Sequence, residues 1–208
     1  MWGSCAVYND VAHLCFDENG ANSDACQTFD GETDKLAKGK TSVAHDWSAM
    51  AVYKDKMWTV GGCNPDLNDC HNVVEYYNGQ DWALAPEHPS ASIFGMTLLA
   101  DNNGMYTLGG RPTEHNSQDV YMFTGHCPCT YKWAFLGKMS NAQLGFSDFT
   151  SGKIISGGIA YAGQDTLEKI HLSDSDFNST NLGPAADGQP FKLYYSAMLL
   201  VDGEVCIN

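Results

Sequence analysis

Apolar residues fall along this chain in short runs of four to eight, some alternating with polar residues and some continuous. Turn sequences of the Asn-Gly, Asp-Gly and Asn-Asn-Gly type separate them. Successive side chains of a strand point to opposite faces, so this patterning predicts strands joined by hairpins. No stretch carries a helical period with caps. The runs also recur. Met57-Trp-Thr-Val-Gly-Gly62 returns as Met105-Tyr-Thr-Leu-Gly-Gly110 and as Lys153-Ile-Ile-Ser-Gly-Gly158, 48 residues on each time. A small-and-apolar run precedes each string, beginning at Trp47, Phe94 and Phe146, and the first of these matches the run from Trp2 to Asp10. His13-Leu-Cys-Phe16 is then a degenerate glycine string, and the run from Tyr195 to Gly203 opens a further repeat. After the glycines come a polar loop and a third apolar run ending in an aromatic and a turn, as in Gln27–Gly31, Val74–Gly79 and Val120–Gly125; the fourth repeat has Leu167–Leu172 there. A fourth run opens with tryptophan at Trp82 and Trp133.

Four antiparallel strands at a period of 40 to 50 residues is the arithmetic of a β-propeller blade. The expected fold is all-β, with blades at 1–45, 46–92, 93–143 and 144–190 and a partial blade at 191–208. Paired glycines after an apolar strand, a tyrosine-rich strand and a tryptophan at fixed distance resemble kelch repeats over nearly the whole chain. The resemblance lapses where the glycine pair is lost at Phe16-Asp17 and where the last repeat is cut short. Kelch propellers have six or seven blades, so it implies a segment of a longer propeller. The alternative is a closed small ring with Cys5 and Cys206 near its seam. The tryptophans are expected to pack between blades.

Composition and run length change the picture at three points. The net charge is −14, from 11 basic and 25 acidic residues, which argues against a nucleic-acid partner. The longest apolar runs fall far short of the roughly 20 residues a membrane span needs. Eight cysteines are many for a reduced compartment. Cys15 and Cys26 bracket one polar loop and Cys63 and Cys70 another, and we place both loops at the same point of the repeat; two disulfides are expected there. Zinc is the rival reading, with Cys127-Pro-Cys129 beside His126 as its nearest candidate, but paired CxxC motifs are absent. Oxidised cysteines imply an extracellular protein, although the N-terminus shows no signal peptide. Asn178-Ser-Thr is a sequon for surface glycosylation.

The seven histidines are scattered singly, without HExxH or HxH, and read as loop and edge residues. Some kelch-like propellers resemble galactose oxidase, a copper-radical enzyme whose site takes two tyrosines, a cysteine and two histidines; Tyr194 and Tyr195 have no matching neighbours here. Acidic loops offer oxygen ligands for calcium at Asp17, Asn19 and Asp24 and at Asp66, Asn68 and Asp69, but neither completes an EF-hand, and solvated turns are the plainer reading. The loops at 16–26, 63–72, 111–119 and 159–166, with those at 37–46, 85–92, 137–144 and 182–191, are expected on one face. Arg111, Glu114, His115, Asn116 and Tyr161 supply hydrogen-bonding groups there. The expected function is a non-enzymatic binding or structural module that offers these loops to a protein or glycan, or to further copies of itself, with no cofactor except calcium as an option. The alternative is part of a secreted propeller enzyme, copper-radical or otherwise metal-dependent, whose active site is completed outside this segment.

Overall fold

A computed structural model describes residues 4–17, 22–37, 39–64, 69–111, 117–140, 151–155, 159–163, 167–172, 177–183, 198–201 and 204–207. Among these residues every regular element is a strand. The first sheet holds β1 (Ser4–Tyr8), β2 (Val11–Asp17), β3 (Asn22–Phe29) and β4 (Asp34–Leu36). The second holds β5 (Ala49–Tyr53), β6 (Lys56–Asn64), β7 (Asp69–Tyr77) and β8 (Trp82–Ala85). The third holds β9 (Thr97–Ala100), β10 (Met105–Leu108), β11 (Asp119–Thr124) and β12 (Lys132–Lys138). The fourth holds β13 (Ser151–Ile155), β14 (Ile159–Gly163), β15 (Leu167–His171) and β16 (Asn178–Gly183), and β17 (Met198–Val201) pairs with β18 (Glu204–Ile207). Each sheet is a meander in which neighbours in sequence are neighbours in space.

Two compact units divide the chain: Met1–Phe94 with Thr124–Trp133, and Gly95–Phe123 with Ala134–Asn208. In the first, Tyr8, Cys15, Phe16, Cys26, Met57 and Tyr77 form a buried cluster on which Met50 and Trp82 pack. Its first two sheets are joined by Ser4 Oγ donating to Ser48 O (2.6 Å) and Tyr8 Oη donating to Asp55 O (3.1 Å). In the second unit, Leu99, Tyr106, Leu108, Val120, Met122, Met139, Ile170 and Leu172 make the core.

Local chemistry explains the turns. The β1–β2 and β5–β6 hairpins each close through two residues with positive φ, Asn9-Asp10 (51° and 60°) and Lys54-Asp55 (48° and 54°), the left-handed pair that suits the twist of antiparallel strands. The turn after the third strand repeats in detail. Asp30 Oδ1 accepts from the Glu32 and Thr33 amides at 3.0 and 2.8 Å, and Asn78 Oδ1 accepts from those of Gln80 and Asp81 at 2.9 and 3.1 Å. The amides acting on Asp30 hold its carboxyl down at about 2.

The glycine pair of β6 serves a close crossing. Gly61 (φ 59°) forms a bulge, Gly62 N donates to Ile93 O at 2.8 Å, and a Cβ on Gly61 would overlap that carbonyl oxygen. A Cβ on Gly62 would come within 2.9 Å of the backbone at His45 and Asp46. Gly61→Ala is therefore expected to cost about 3 kcal/mol, from left-handed strain plus displacement of the backbone at Ile93. Gly31→Ala, with φ 100° but open space around it, is expected to cost about 1 kcal/mol. Urea midpoints of the two variants test the contrast, and equal losses would remove the crossing as the reason for Gly61.

Three details differ from the sequence reading. The loops placed at 16–26 and 63–72 are largely strand, because β2 and β3, and β6 and β7, continue past the cysteines. The bridges therefore link register partners across a hairpin, Cys15 with Cys26 and Cys63 with Cys70, with Cα atoms 3.9 Å apart in both. They are also not equivalent in the repeat. Phe16 takes the bulge position with φ 65°, one residue after Cys15, whereas Cys63 lies two residues beyond the Gly61 bulge. Finally, Ile159–Gly163, read as loop, is strand β14, and Lys153–Ile155 belong to the first strand of their sheet rather than the second. Small residues such as Ala160, Ala162 and Gly163 hide the alternation on which the strand signal depends.

Candidate functional site

The segment from Lys40 to Asp46 carries the site. Its backbone follows the start of β3: the Thr41 amide donates to Asp24 O and the His45 amide to Ser23 O, both at 2.9 Å. On its other side, His71 of β7 reaches Ala44 O through Nε2 at 2.7 Å. Because Nε2 must carry the hydrogen, Nδ1 is an acceptor and takes the Val73 amide at 3.3 Å. Burial lowers the His71 pKa, outweighing the Ala44 hydrogen bond that raises it.

Beneath the segment lies a buried histidine–carboxyl pair. His45 and Glu75 are 0% and 2% exposed, and His45 Nε2 is 2.8 Å from Glu75 Oε2. His45 Nδ1 donates to Gly61 O at 2.6 Å, since a carbonyl can only accept. The Ser42 amide donates to both Glu75 oxygens, at 3.0 and 3.1 Å. Phe16 covers the His45 ring, with centroids 5.2 Å apart. This network fixes the segment to β6 and β7 at once.

The result is a cleft of about 450 Å³ lined by Ser23, Asp24, Lys40, Thr41, Ser42, Val43, Ala44, Asn64, Asp69 and His71. Its walls are polar, with two carboxylates against one ammonium. Lys40 Nζ binds both Asp24 oxygens at 2.8 and 3.0 Å across the mouth. Cys26 stands two residues from Asp24, and Cys63 and Cys70 adjoin Asn64 and Asp69, so both bridges pin cleft walls.

Two of the six calcium candidates, Asp24 and Asp69, thus line one cleft, although they come from different repeats. Asp17 lies on β2 with its side chain outside the described residues, as do Asn19, Asp66 and Asn68 entirely. Among the described residues no three His, Cys, Asp or Glu side chains are placed to hold a metal. Arg111 follows β10; Glu114, His115 and Asn116 lie outside the described residues, as does the side chain of Tyr161 on β14. Asn178 is exposed at the start of β16. Cys127 is bridged to Cys129, Cys5 is exposed and free on β1, and the side chain of Cys206 on β18 lies outside the described residues. His45, Glu75 and Lys40 were not singled out from sequence. The available signal was Glu75 itself, a carboxylate inside the apolar run Val73–Tyr77, which demands a buried partner.

No helix among the described residues is long and apolar enough to cross a membrane. No protein-family model matches the chain. A curated relative, the N-(sulfonatooxy)prop-2-enimidothioate sulfolyase of Thlaspi arvense, is 26% identical over 120 residues. The match takes in 54% of this chain and 34% of the relative, so the shared part is about a third of that protein's length. Among solved structures, YjhT superposes with a TM-score of 0.70 at 10% identity, over 99% of this chain and 76% of that one. YjhT is propeller-like, and the likeness together with the four-stranded antiparallel sheets supports a β-propeller.

Proposed function

We propose that the chain is part of an extracellular kelch-type propeller, with blades at 1–45, 46–92, 93–143 and 144–190, that acts as a binding module for a glycan. The observation that carries this reading is the polar cleft whose walls are pinned by two disulfides. Ser23, Thr41 and Ser42 offer hydroxyls, Asp24 and Asp69 offer carboxylates that accept from sugar hydroxyls, and Lys40 offers a donor. Walls tied by covalent bridges lose little freedom on binding, which favours affinity for a weakly held, hydrated ligand. The three bridges support an oxidising compartment, and exposed Asn178 fits a glycosylated surface.

A glycan array probed with the intact protein tests this. Neutral or amine-bearing sugars should be retained and polyanionic ones rejected. Hydrogen bonds to a charged group contribute about 1.5–3 kcal/mol, so Asp24→Asn and Asp69→Asn should each weaken binding at least about tenfold. Unchanged retention by both variants would place the ligand elsewhere, and retention of a protein partner alone would replace the glycan.

The sulfolyase relative favours a second reading, in which the propeller belongs to an enzyme completed by residues outside this segment. The negative balance of the cleft opposes an anionic sulfonatooxy group there. Release of sulfate from an N-sulfonatooxy imidothioate by this chain would make the second reading the better one.

A further inference from the structure

We propose that the Cys127–Cys129 bridge is a thiol–disulfide exchange site that oxidises a dithiol on a partner polypeptide. The other two bridges join paired strands; Cys15, Cys26 and Cys63 are buried at 2%, 1% and 3% exposure, and Cys70 is half-buried. Cys127–Cys129 spans a single residue, Pro128, in the turn between β11 and β12. Closing so short a loop constrains the unfolded chain little, so this bridge is a poor staple. Exposed bridges are the ones open to exchange, and Cys129 is exposed and lines a cleft of about 570 Å³ with His126, Thr130, Tyr131 and Lys132.

The turn is held without the bridge. Tyr131 packs edge-on to Trp58 with centroids 5.3 Å apart, and Trp133 Nε1 donates to Pro86 O at 3.0 Å. Thr130 Oγ1 accepts from the His126 and Cys127 amides at 3.0 and 3.2 Å. A Cβ on Gly125 would meet Thr130 O at 2.6 Å, so the two limbs of the turn touch at their base. The surroundings also suit a departing thiolate. Thr130 Oγ1 is 3.6 Å from Cys127 Sγ, and the Lys54 ammonium donates to Gly125 O at 2.9 Å and lies 3.2 Å from His126 Nδ1, beside the residues leading into Cys127.

The chemistry is a two-step exchange. A partner thiolate attacks Cys129 Sγ, the Cys127–Cys129 bond breaks, and Cys127 leaves as a thiolate that takes a proton from solvent. A second partner thiolate then attacks the partner sulfur of the mixed disulfide and expels the Cys129 thiolate, which is protonated in turn. The partner loses two electrons and two protons to become a disulfide, and the cysteine pair gains them.

The test uses the intact oxidised protein and a synthetic peptide carrying Cys-x-x-Cys in reduced form, with alkylation and peptide mass mapping over time. Cys127 and Cys129 should take label about a hundredfold faster than Cys15, Cys26, Cys63 and Cys70, with one peptide oxidised per pair opened. Cys5, already free, takes label throughout and serves as the standard. Cys127→Ser, offered a Cys-x-x-Ser peptide as its mixed disulfide with glutathione, should release glutathione and hold the peptide as a stable mixed disulfide at Cys129, and Lys54→Ala should slow the exchange. The double variant Cys127→Ser/Cys129→Ser should melt within a few degrees of the parent. Simultaneous opening of all three bridges, label without peptide oxidation, or unfolding of the double variant would each overturn the proposal.

Discussion

Lowering the pH from 7 to 3 is expected to strip about 4–5 kcal/mol of stability from this chain through His88 alone. His88 is 1% exposed, and burial lowers its pKa to about 3 from an ordinary 6.5. Its Nδ1 accepts the Ser90 amide at 3.2 Å, so Nε2 carries the hydrogen and protonation would break that bond. The folded histidine stays neutral while the unfolded one takes a proton. The stabilisation is therefore complete above about 6.5 and is lost progressively as the pH falls towards 3. His13 and His71 act in the same direction, since burial lowers both; His13 Nδ1 has no hydrogen-bond partner among the described residues. Urea midpoints at pH 7, 5 and 4 measure the slope. His88→Gln should flatten it by about one proton, and an unchanged slope would assign the acid sensitivity to other groups.

Removing the buried carboxylate should be comparably severe. Glu75→Ala is expected to cost about 3–5 kcal/mol, because it strands His45 at 0% exposure and leaves the Ser42 amide without its acceptor. For a chain of this length that is a fall of about 10 °C in melting temperature. Glu75→Gln keeps an oxygen for Ser42 and an amide donor for a neutral imidazole, so a loss of about 1–2 kcal/mol is expected. Calorimetry of both variants decides: equal losses would mean that charge is irrelevant, and a loss below about 1 kcal/mol for the alanine would remove the pair as an anchor of the 40–46 segment.

Much of the strand order was legible because the repeat carries its own landmarks. Met57–Gly62 lies within β6, and the glycines are needed where Ile93 and His45 cross, a constraint written locally in two adjacent residues. The Cys15–Cys26 and Cys63–Cys70 pairs were legible from their separations of 11 and 7. Their offset about the bulge was implicit in the same alignment, which sets Phe16-Asp17 where the glycine pair stands, although the two loops were placed at one point of the repeat. Strand β14 was missed because alanine and glycine carry little apolar contrast. The cleft was legible only in part. Asp24 and Asp69 stood out as oxygen-rich positions, but Lys40 meets Asp24 from 16 residues away and His45 meets Glu75 from 30. Pairings of that range are set by how the repeat folds back, and no local pattern records them.

The two strand-to-strand bridges also insulate the hairpin tips from the sheets that carry them. Each tip is a covalently closed ring, so residues added between Cys15 and Cys26, or between Cys63 and Cys70, enlarge that ring while the pairing below it stays tied. The entropy of a longer ring grows only logarithmically, about 0.6 kcal/mol per doubling. Both tips are therefore graft points, able to take foreign sequence of varied length while the strands beneath keep their register.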